Sequence, residues 1–239
     1  MRCIPIGYAC VVCIVLGSNV KILQLFPISV YGGSVDVPVY IYDNLVQYPT
    51  REIVQYNTSE IDGQQLVNGR ITTNKSVLDD TLNSQLNQQV MNCIDEYTKE
   101  YYNIKLDGAF YITRSWVLHH DPGHWSQPHT HPNSVISGVM YLNCDPKSGD
   151  IKFHKPENYY NHLNTGTLKF AFNDYHEATA EVWFLTPNVG DVYLFPSHLI
   201  HSVDRNESDI TRVSLSFDVF VEGIIDSGDP VTTLRLQKA

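Results

Sequence analysis

Residues 212–220 carry apolar side chains at every odd-numbered position and polar ones at the even-numbered positions up to Asp218, and this pattern constrains the fold more than any other stretch of the chain. The odd-numbered positions are apolar, whereas Arg212, Ser214 and Ser216 share the even-numbered face. Strict alternation predicts a β-strand with one buried face and one polar face. Because an arginine heads the polar face, this strand suits an anion that is bound inside a β-barrel.

Two histidines, His129 and His131, form the first part of a candidate metal site. Residues two apart on an extended strand point to the same side, so both imidazoles can approach one point. A third candidate ligand, His201, follows the apolar stretch 191–195 and a proline turn. Imidazole binds iron, zinc and nickel, and the three histidines therefore predict a metal centre.

The chain resembles the iron(II)- and 2-oxoglutarate-dependent (2OG-Fe(II)) oxygenases, specifically the small members of that superfamily from bacteria and phages. The resemblance spans about residues 21 to 221, and its specificity comes from the order of the matching segments rather than from any one motif. The segments are Leu25–Tyr31, His129–Ser134, Ser137–Leu142, Phe195–Ser197 with His201 and Val203, and Arg212–Ser214.

This resemblance implies a mainly β fold with flanking α-helices, built on a double-stranded β-helix, which is a cupin-like jelly roll. It implies iron(II) as the metal, held by His129, His131 and His201, with no catalytic residue beyond these ligands. It also implies 2OG as co-substrate, O2 as oxidant and ascorbate as an additional candidate cofactor.

The same resemblance assigns three residues to 2OG binding. Arg212 is expected to hold the C5 carboxylate of 2OG, since a guanidinium pairs bidentately with a carboxylate. Ser214 is expected to donate a second hydrogen bond to that carboxylate. Tyr141 matches a position whose hydroxyl, in some relatives, donates to the same group.

The chain departs from the superfamily in one ligand. The ordinary triad is His-x-Asp or His-x-Glu with a distal histidine, and His131 stands where the carboxylate would be, which leaves the site more positive by one charge. Asp121 could compensate by accepting the N–H of a ligand imidazole. Alternatively, His119 and Asp121, which have the His-x-Asp spacing, could be the ligands themselves. We favour His129 with His131, because His119 and Asp121 precede a Pro122-Gly123 turn.

The resemblance implies an enzyme, a hydroxylase-type dioxygenase that acts on a small molecule or on a peptidyl residue such as proline and converts 2OG to succinate. Two alternatives remain open. A three-histidine cupin-type dioxygenase would bind its substrate directly to iron without 2OG, and Arg212 would then hold the carboxylate of the substrate. A non-catalytic jelly-roll binding module would keep the strands and need no metal.

Composition limits the partners. A chain of 239 residues with 43% apolar residues can form one domain with a sizeable core. The net charge is −10, and the sequence lacks the clustered Lys and Arg that a nucleic-acid surface needs. We therefore expect small-molecule or peptidyl substrates, and neither nucleic-acid nor membrane partners.

An apolar run at residues 3–17 sets the predicted domain boundary. We interpret residues 1–20 as an N-terminal extension and residues 21–239 as the oxygenase domain, because the resemblance starts at residue 21. A secretory signal is the alternative, since Val15-Leu16-Gly17 is compatible with cleavage. Iron(II) and 2OG are intracellular supplies, so the first interpretation predicts a cytoplasmic protein and the second an exported one.

Three local patterns predict further elements. Apolar residues recur every three or four positions from Leu78 to Tyr101 after a capping-box pattern at Ser76–Asp79, which predicts one amphipathic helix of about 25 residues. The β-branched and aromatic residues at 37–42 predict a strand. Residues 155–187 are rich in Tyr, Phe, Asn and His, and they predict a strand and a lid that carries substrate specificity.

Overall fold

β-Strands dominate the described part of the chain. The computed structural model describes residues 28–54, 67–156, 170–175, 179–225 and 231–238, and the backbone of three strands within residues 2–24. In chain order the strands are β1 (Arg2–Ile6), β2 (Ala9–Val15), β3 (Lys21–Gln24), β4 (Tyr31–Ser34), β5 (Thr50–Val54), β6 (Val67–Thr72), β7 (Asp107–His120), β8 (Ser126–His129), β9 (Ile136–Asn143), β10 (Ile151–His154), β11 (Val182–Leu185), β12 (Asp191–Pro196), β13 (His201–Val203), β14 (Arg212–Ile225) and β15 (Leu234–Leu236).

The first of two units comprises residues 1–29 and 158–180. In it β1, β2 and β3 form an antiparallel sheet in that order. The apolar run of the N-terminus contributes β1 and β2, and β2 pairs with β3, which follows residue 20. The division at residue 20 into extension and oxygenase domain stays a prediction.

The second unit, residues 30–157 and 181–239, contains two sheets. The larger sheet has the order β4-β12-β9-β14-β7-β6-β5, with β15 paired to the end of β14, and the smaller sheet has the order β11-β10-β13-β8. Their neighbouring strands are antiparallel and mostly distant in sequence, as in a jelly roll. The predicted mainly β fold, a double-stranded β-helix, is confirmed.

The alternating strand lies at the centre of the larger sheet, where β14 pairs with β7 on one side and β9 on the other. Its odd-numbered side chains, from Val213 to Val219, are buried in the main apolar core. On the even-numbered face Arg212, Ser214 and Ser216 line a cavity. The predicted division of this strand into an apolar and a polar face is therefore confirmed.

The predicted helix of residues 76–101 is wrong in its extent. The segment consists of two 3₁₀ turns, Val77–Asp79 and Thr81–Asn83, followed by helix α2 (Ser84–Asp95) and a π-helical turn, Glu96–Tyr101. Within the described residues, no helix has the length and apolar character needed to cross a membrane.

Asp80 explains why the helix begins late. Its backbone is extended (φ −64°, ψ 132°), and its carboxylate accepts the N–H of Leu82, so the side chain caps a new turn. From Leu86 to Ile94 the predicted face holds, because Leu86, Val90 and Ile94 are fully buried in the core, whereas Tyr101 at its predicted end is exposed. The apolar period identified the packing face but not the break in the backbone.

The strand predicted at residues 37–42 is also wrong, because this region begins helix α1 (Val39–Val46). Pro38 occupies the N-cap position, and Ile41 and Leu45, four residues apart, are fully buried. Residues four apart share one helix face, so burying this pair outweighs the strand propensity of β-branched and aromatic residues.

The predicted lid at residues 155–187 is only partly described, because residues 157–169 and 176–178 lie outside the described residues. The strand component is present as β11, which pairs with β10. The lid itself stays a prediction.

Gly138 on β9 tests the packing between the core strands. A Cβ at this position would lie 2.2 Å from ring carbons of Phe217 on β14. Gly138→Ala is therefore expected to lower the free energy of unfolding by about 1–3 kcal/mol, as overpacked cores do, measured by urea unfolding. Gly32→Ala is the control, since its Cβ would meet Tyr193 at an ordinary 3.7 Å. Equal stability of both variants and the unmodified protein would contradict the described packing.

Candidate metal and anion site

Strand pairing brings together His129, His131 and His201. His129 ends β8 and pairs with His201, the first residue of β13. One ring nitrogen of each histidine lies within 4.8 Å of a ring nitrogen of the other two. Among the described residues, this is the one group of three or more potential metal ligands that meets this distance. The assignment of all three as metal ligands stays a prediction.

His131 reaches the cluster from a loop, since β8 ends two residues before it. Its backbone N–H donates to the carbonyl of Ser197 at 3.0 Å, and its ring stacks on Trp116 with the centroids 5.8 Å apart. The prediction that His129 and His131 share one strand is therefore wrong, although their side chains do converge. The loop is held by contacts that sequence spacing does not reveal.

Hydrogen bonds at Nδ1 orient two of the rings. Nδ1 of His129 lies 2.8 Å from the carbonyl oxygen of Gln127, and Nδ1 of His201 lies 3.0 Å from that of Leu199. A carbonyl oxygen only accepts, so each Nδ1 carries the proton and each Nε2 keeps a free lone pair. This tautomer is the one that a metal bound at Nε2 requires.

The same two histidines are electrically neutral. Burial lowers the pKa of His129, and burial together with the neighbouring His129 lowers the pKa of His201 to about 3. Both imidazoles therefore remain unprotonated at neutral pH. Since only a neutral imidazole binds a metal, these two rings are in the protonation state that metal binding requires.

A carboxylate orients the third ring. Asp218 is fully buried on the polar face of β14, and its Oδ1 accepts from Nδ1 of His131 at 2.5 Å. Its Oδ2 accepts from Nη2 of Arg114 at 2.5 Å, and the hydroxyl oxygen of Ser137 lies 3.4 Å from Oδ1. All three clustered imidazoles therefore have an acceptor at Nδ1.

The hypothesis that Asp121 supports a ligand imidazole is wrong. Its carboxylate accepts instead from Arg70 at 3.1 Å and from the hydroxyl of Thr211 at 2.6 Å. The structure brings neither Asp121 nor His119 into the three-histidine cluster. Gly123 has a φ of +90° in the turn that follows, as the Pro-Gly sequence predicted.

The cluster faces a cavity of about 370 Å³ that both sheets of the second unit line. The residues assigned to 2OG in the sequence, Arg212, Ser214 and Tyr141, all lie in its wall. Ser214 and Tyr141 are cross-strand partners on β14 and β9. Burial raises the pKa of Tyr141 above its ordinary value, so its hydroxyl keeps a proton to donate.

Arg212 is 1% exposed and has no carboxylate partner among the described residues. Its Nη1 donates to the carbonyls of Ser148 and Gly149 at 3.0 and 3.3 Å, whereas Nε has no partner. Burial lowers the pKa of Arg212 from its usual value. A buried cation without a counter-ion is costly, so an anionic ligand at this point would remove the penalty.

His120 is a cavity residue that the sequence analysis missed. It is the cross-strand partner of Arg212, it is 1% exposed, and its Nε2 lies 3.0 Å from the hydroxyl of Ser126. Burial, followed by the charge of Arg212, holds the pKa of His120 well below its usual value, so the ring is neutral. The signal was available, because His120 shares the even-numbered face of β7 with Trp116 and Leu118, which also line the cavity.

Comparison with known proteins gives a family match over part of the chain and a fold match over most of it. The family model described as "Putative 2OG-Fe(II) oxygenase" matches residues 114–218. A search of curated proteins gave no match to the chain. The matched range includes the three clustered histidines, Arg212 and Asp218.

Three solved structures share the fold. An oxidoreductase of the 2OG-Fe(II) oxygenase family from Burkholderia pseudomallei has 13% identity and a TM-score of 0.50, covering 80% of this chain and 84% of that one. The epimerase SnoN from nogalamycin biosynthesis, in complex with Fe3+, α-ketoglutarate and nogalamycin RO, has 11% identity and a TM-score of 0.55, covering 88% and 89%. HygX from Streptomyces hygroscopicus, with nickel, 2OG and hygromycin B bound, has 9% identity and a TM-score of 0.51, covering 80% and 82%.

Proposed function

We propose that this chain, whose residues 114–218 match the 2OG-Fe(II) oxygenase model, is an iron(II)- and 2OG-dependent dioxygenase that hydroxylates a small molecule or a peptidyl residue such as proline. One observation carries the proposal. The cavity that the three imidazoles face also contains the buried guanidinium of Arg212, which has no carboxylate partner among the described residues. A candidate cation site and a candidate anion site in one cavity match a metal and a dicarboxylate.

The donor set fits iron(II). His129, His131 and His201 would bind the ion through Nε2, because Nδ1 of each ring has its own acceptor. Imidazole is a suitable ligand for this metal, and three ligands leave coordination positions for a co-substrate and O2.

The opposite wall fits 2OG. Arg212 would pair with the C5 carboxylate, and the hydroxyls of Ser214 and Tyr141 would each donate a hydrogen bond to it. His120, neutral and adjacent to Arg212, adds a polar group without adding a charge. A bound carboxylate would also neutralise the buried guanidinium, so the ligand would gain affinity and the site would lose an electrostatic penalty.

The remaining wall is suited to a substrate. Ile53, Ile71, Trp116 and Trp125 line the cavity, and these apolar side chains would exclude water while orienting a substrate beside the metal. With iron(II), 2OG and O2 bound, such a site supplies oxidation coupled to the conversion of 2OG to succinate and CO2. The chain itself would contribute binding, orientation and a dry cavity.

SnoN and HygX support a small-molecule substrate, since their structures contain nogalamycin RO and hygromycin B. Hydroxylation is the reaction that we propose, although SnoN is an epimerase, so product analysis must accompany any assay. Because iron(II) and 2OG are intracellular supplies, we also propose a cytoplasmic location.

Metal-free protein reloaded with iron(II) without oxygen provides the test. We expect 2OG to bind measurably by calorimetry only when the metal is present, and exposure to oxygen to produce succinate together with oxygen uptake. Oxygen uptake that does not need 2OG would instead favour a three-histidine cupin-type dioxygenase. Binding of neither metal nor 2OG would favour a non-catalytic module.

A further inference from the structure

We propose that Asp218 is a positioning residue of the metal centre, which fixes the His131 ring with Nε2 toward the ion and returns the negative charge that His131 lacks as a ligand. This inference rests on the proposed function and goes beyond it, because it names a residue outside the ligand set. The superfamily triad carries its negative charge on a ligand. In this chain the negative charge lies on Asp218, which contacts the imidazole of His131.

The contacts of Asp218 support the assignment. Its side chain is 0% exposed, and its two oxygens divide their tasks, Oδ1 toward His131 and Oδ2 toward Arg114. Because a carboxylate only accepts, the 2.5 Å contact with His131 places the proton on Nδ1 and leaves the lone pair on Nε2. Such a partner sets both the tautomer and the orientation of a ligand imidazole and raises its basicity.

Hydrogen bonds among nearby serines hold the loop that carries His131. Ser137 donates to the hydroxyl of Ser197 at 2.9 Å, and Ser197 donates to Ser134 at 2.8 Å. Ser197 also accepts the backbone N–H of His131 through its carbonyl. The backbone and the ring of His131 are therefore positioned by separate contacts, and Asp218 supplies the one at the ring.

Exposure decides which charge the metal would experience. The Arg114 side chain is 48% exposed and the Asp218 side chain 0% exposed, so water screens the guanidinium more than the carboxylate. A salt bridge with Arg114 alone does not explain why the carboxylate is fully buried, because removing a charge from water costs more than such a pair ordinarily returns. The contact with the His131 imidazole provides a functional reason for burying the Asp218 carboxylate.

Asp218→Asn removes the charge with little change of shape. We expect the dissociation constant for Ni2+, measured by calorimetry on metal-free protein without 2OG, to rise about 10–100-fold, the usual effect of losing an outer partner of a metal ligand. Asp121→Asn is the matched control, since it also removes a carboxylate that pairs with an arginine but contacts none of the three histidines. The control should bind Ni2+ as the unmodified protein does.

A double-mutant cycle separates positioning from a general structural role. In a His131→Ala background, Asp218→Asn should weaken Ni2+ binding little further, because the ring through which Asp218 acts is gone. Equal losses in both backgrounds, or no loss in either, would overturn the proposal while the oxygenase function stands. If the unmodified protein bound no divalent metal, the proposed function would fail as well.

One measurement needs no variant. Nitrogen-15 NMR of the metal-free protein reports which nitrogen of each histidine carries the proton. We expect the His131 signal to show protonated Nδ1 and unprotonated Nε2. The opposite tautomer would be incompatible with a hydrogen bond to Asp218 and would refute the proposal even if Asp218→Asn did not fold.

Discussion

His201→Ala is expected to abolish stoichiometric metal binding. The three ring centroids form a triangle, with His201 4.2 Å from His129 and 5.1 Å from His131, and these two 5.3 Å apart. Removing it takes away one of three donors, so the loss should exceed the roughly 10–100-fold that an outer partner contributes. Metal content after dialysis against iron(II) or Ni2+, by elemental analysis, measures the effect.

His154→Ala is the matched control for this prediction. His154 lies on β10, next to β13 in the smaller sheet, and contacts Ser202 rather than the cluster. We expect it to retain one metal ion per chain. Full metal content in His201→Ala would show that the cluster is not the site, and loss of metal in Asp121→Asn would restore His119 and Asp121 as ligands.

Arg212→Met is expected to raise the concentration of 2OG needed for half-saturation by about 100-fold or more, because a desolvated, charge-assisted bidentate pair contributes about 3 kcal/mol. The metal should stay bound, since Arg212 is not a ligand. Calorimetric titration of 2OG into metal-loaded protein measures the change. Arg212→Lys should also bind 2OG weakly, because an ammonium does not reproduce the planar fork of a guanidinium.

The stability of Arg212→Met distinguishes a binding role from a structural one. Since the guanidinium is buried without a counter-ion, replacing it with an apolar chain of similar length should not lower the melting temperature of the ligand-free protein. Arg70→Met breaks the partly exposed pair with Asp121 and should leave 2OG binding unchanged. Unaltered 2OG affinity in Arg212→Met would favour the cupin-type alternative.

The sequence predictions that are confirmed rest on local patterns of apolar and polar residues. The alternation of residues 212–220 identified the strand, its buried face and its cavity face, because alternation by two is a property of the extended chain itself. The even-numbered face of Arg212, Ser214 and Ser216 continues with Asp218. Sequence alternation alone could therefore have assigned Asp218 to the cavity side of the strand.

The predictions for residues 37–42 and 76–83 were wrong because their apolar patterns are compatible with more than one backbone conformation. The residues at 37–42 favour strands, but the core accepts Ile41 and Leu45 from a helix, and propensity is the weaker effect. In residues 76–83 the period of the apolar residues continues while the backbone does not, because the side chain of Asp80 forms a cap. Periodicity reports which side chains are buried, and it does not report where the hydrogen bonds run.

The sequence by itself determined the fold class, the three histidines that the structure clusters and the arginine that faces their cavity, because strand alternation and strand order are encoded locally along the chain. Tertiary structure alone decided which carboxylate meets His131. Asp121 is ten residues from His131 and bonds to Arg70, whereas Asp218 is 87 residues away and lies 2.5 Å from its ring. The reason is physical: a hydrogen bond depends on the register between strands and on the path of a loop, and neither is a property of residues that are near each other in sequence.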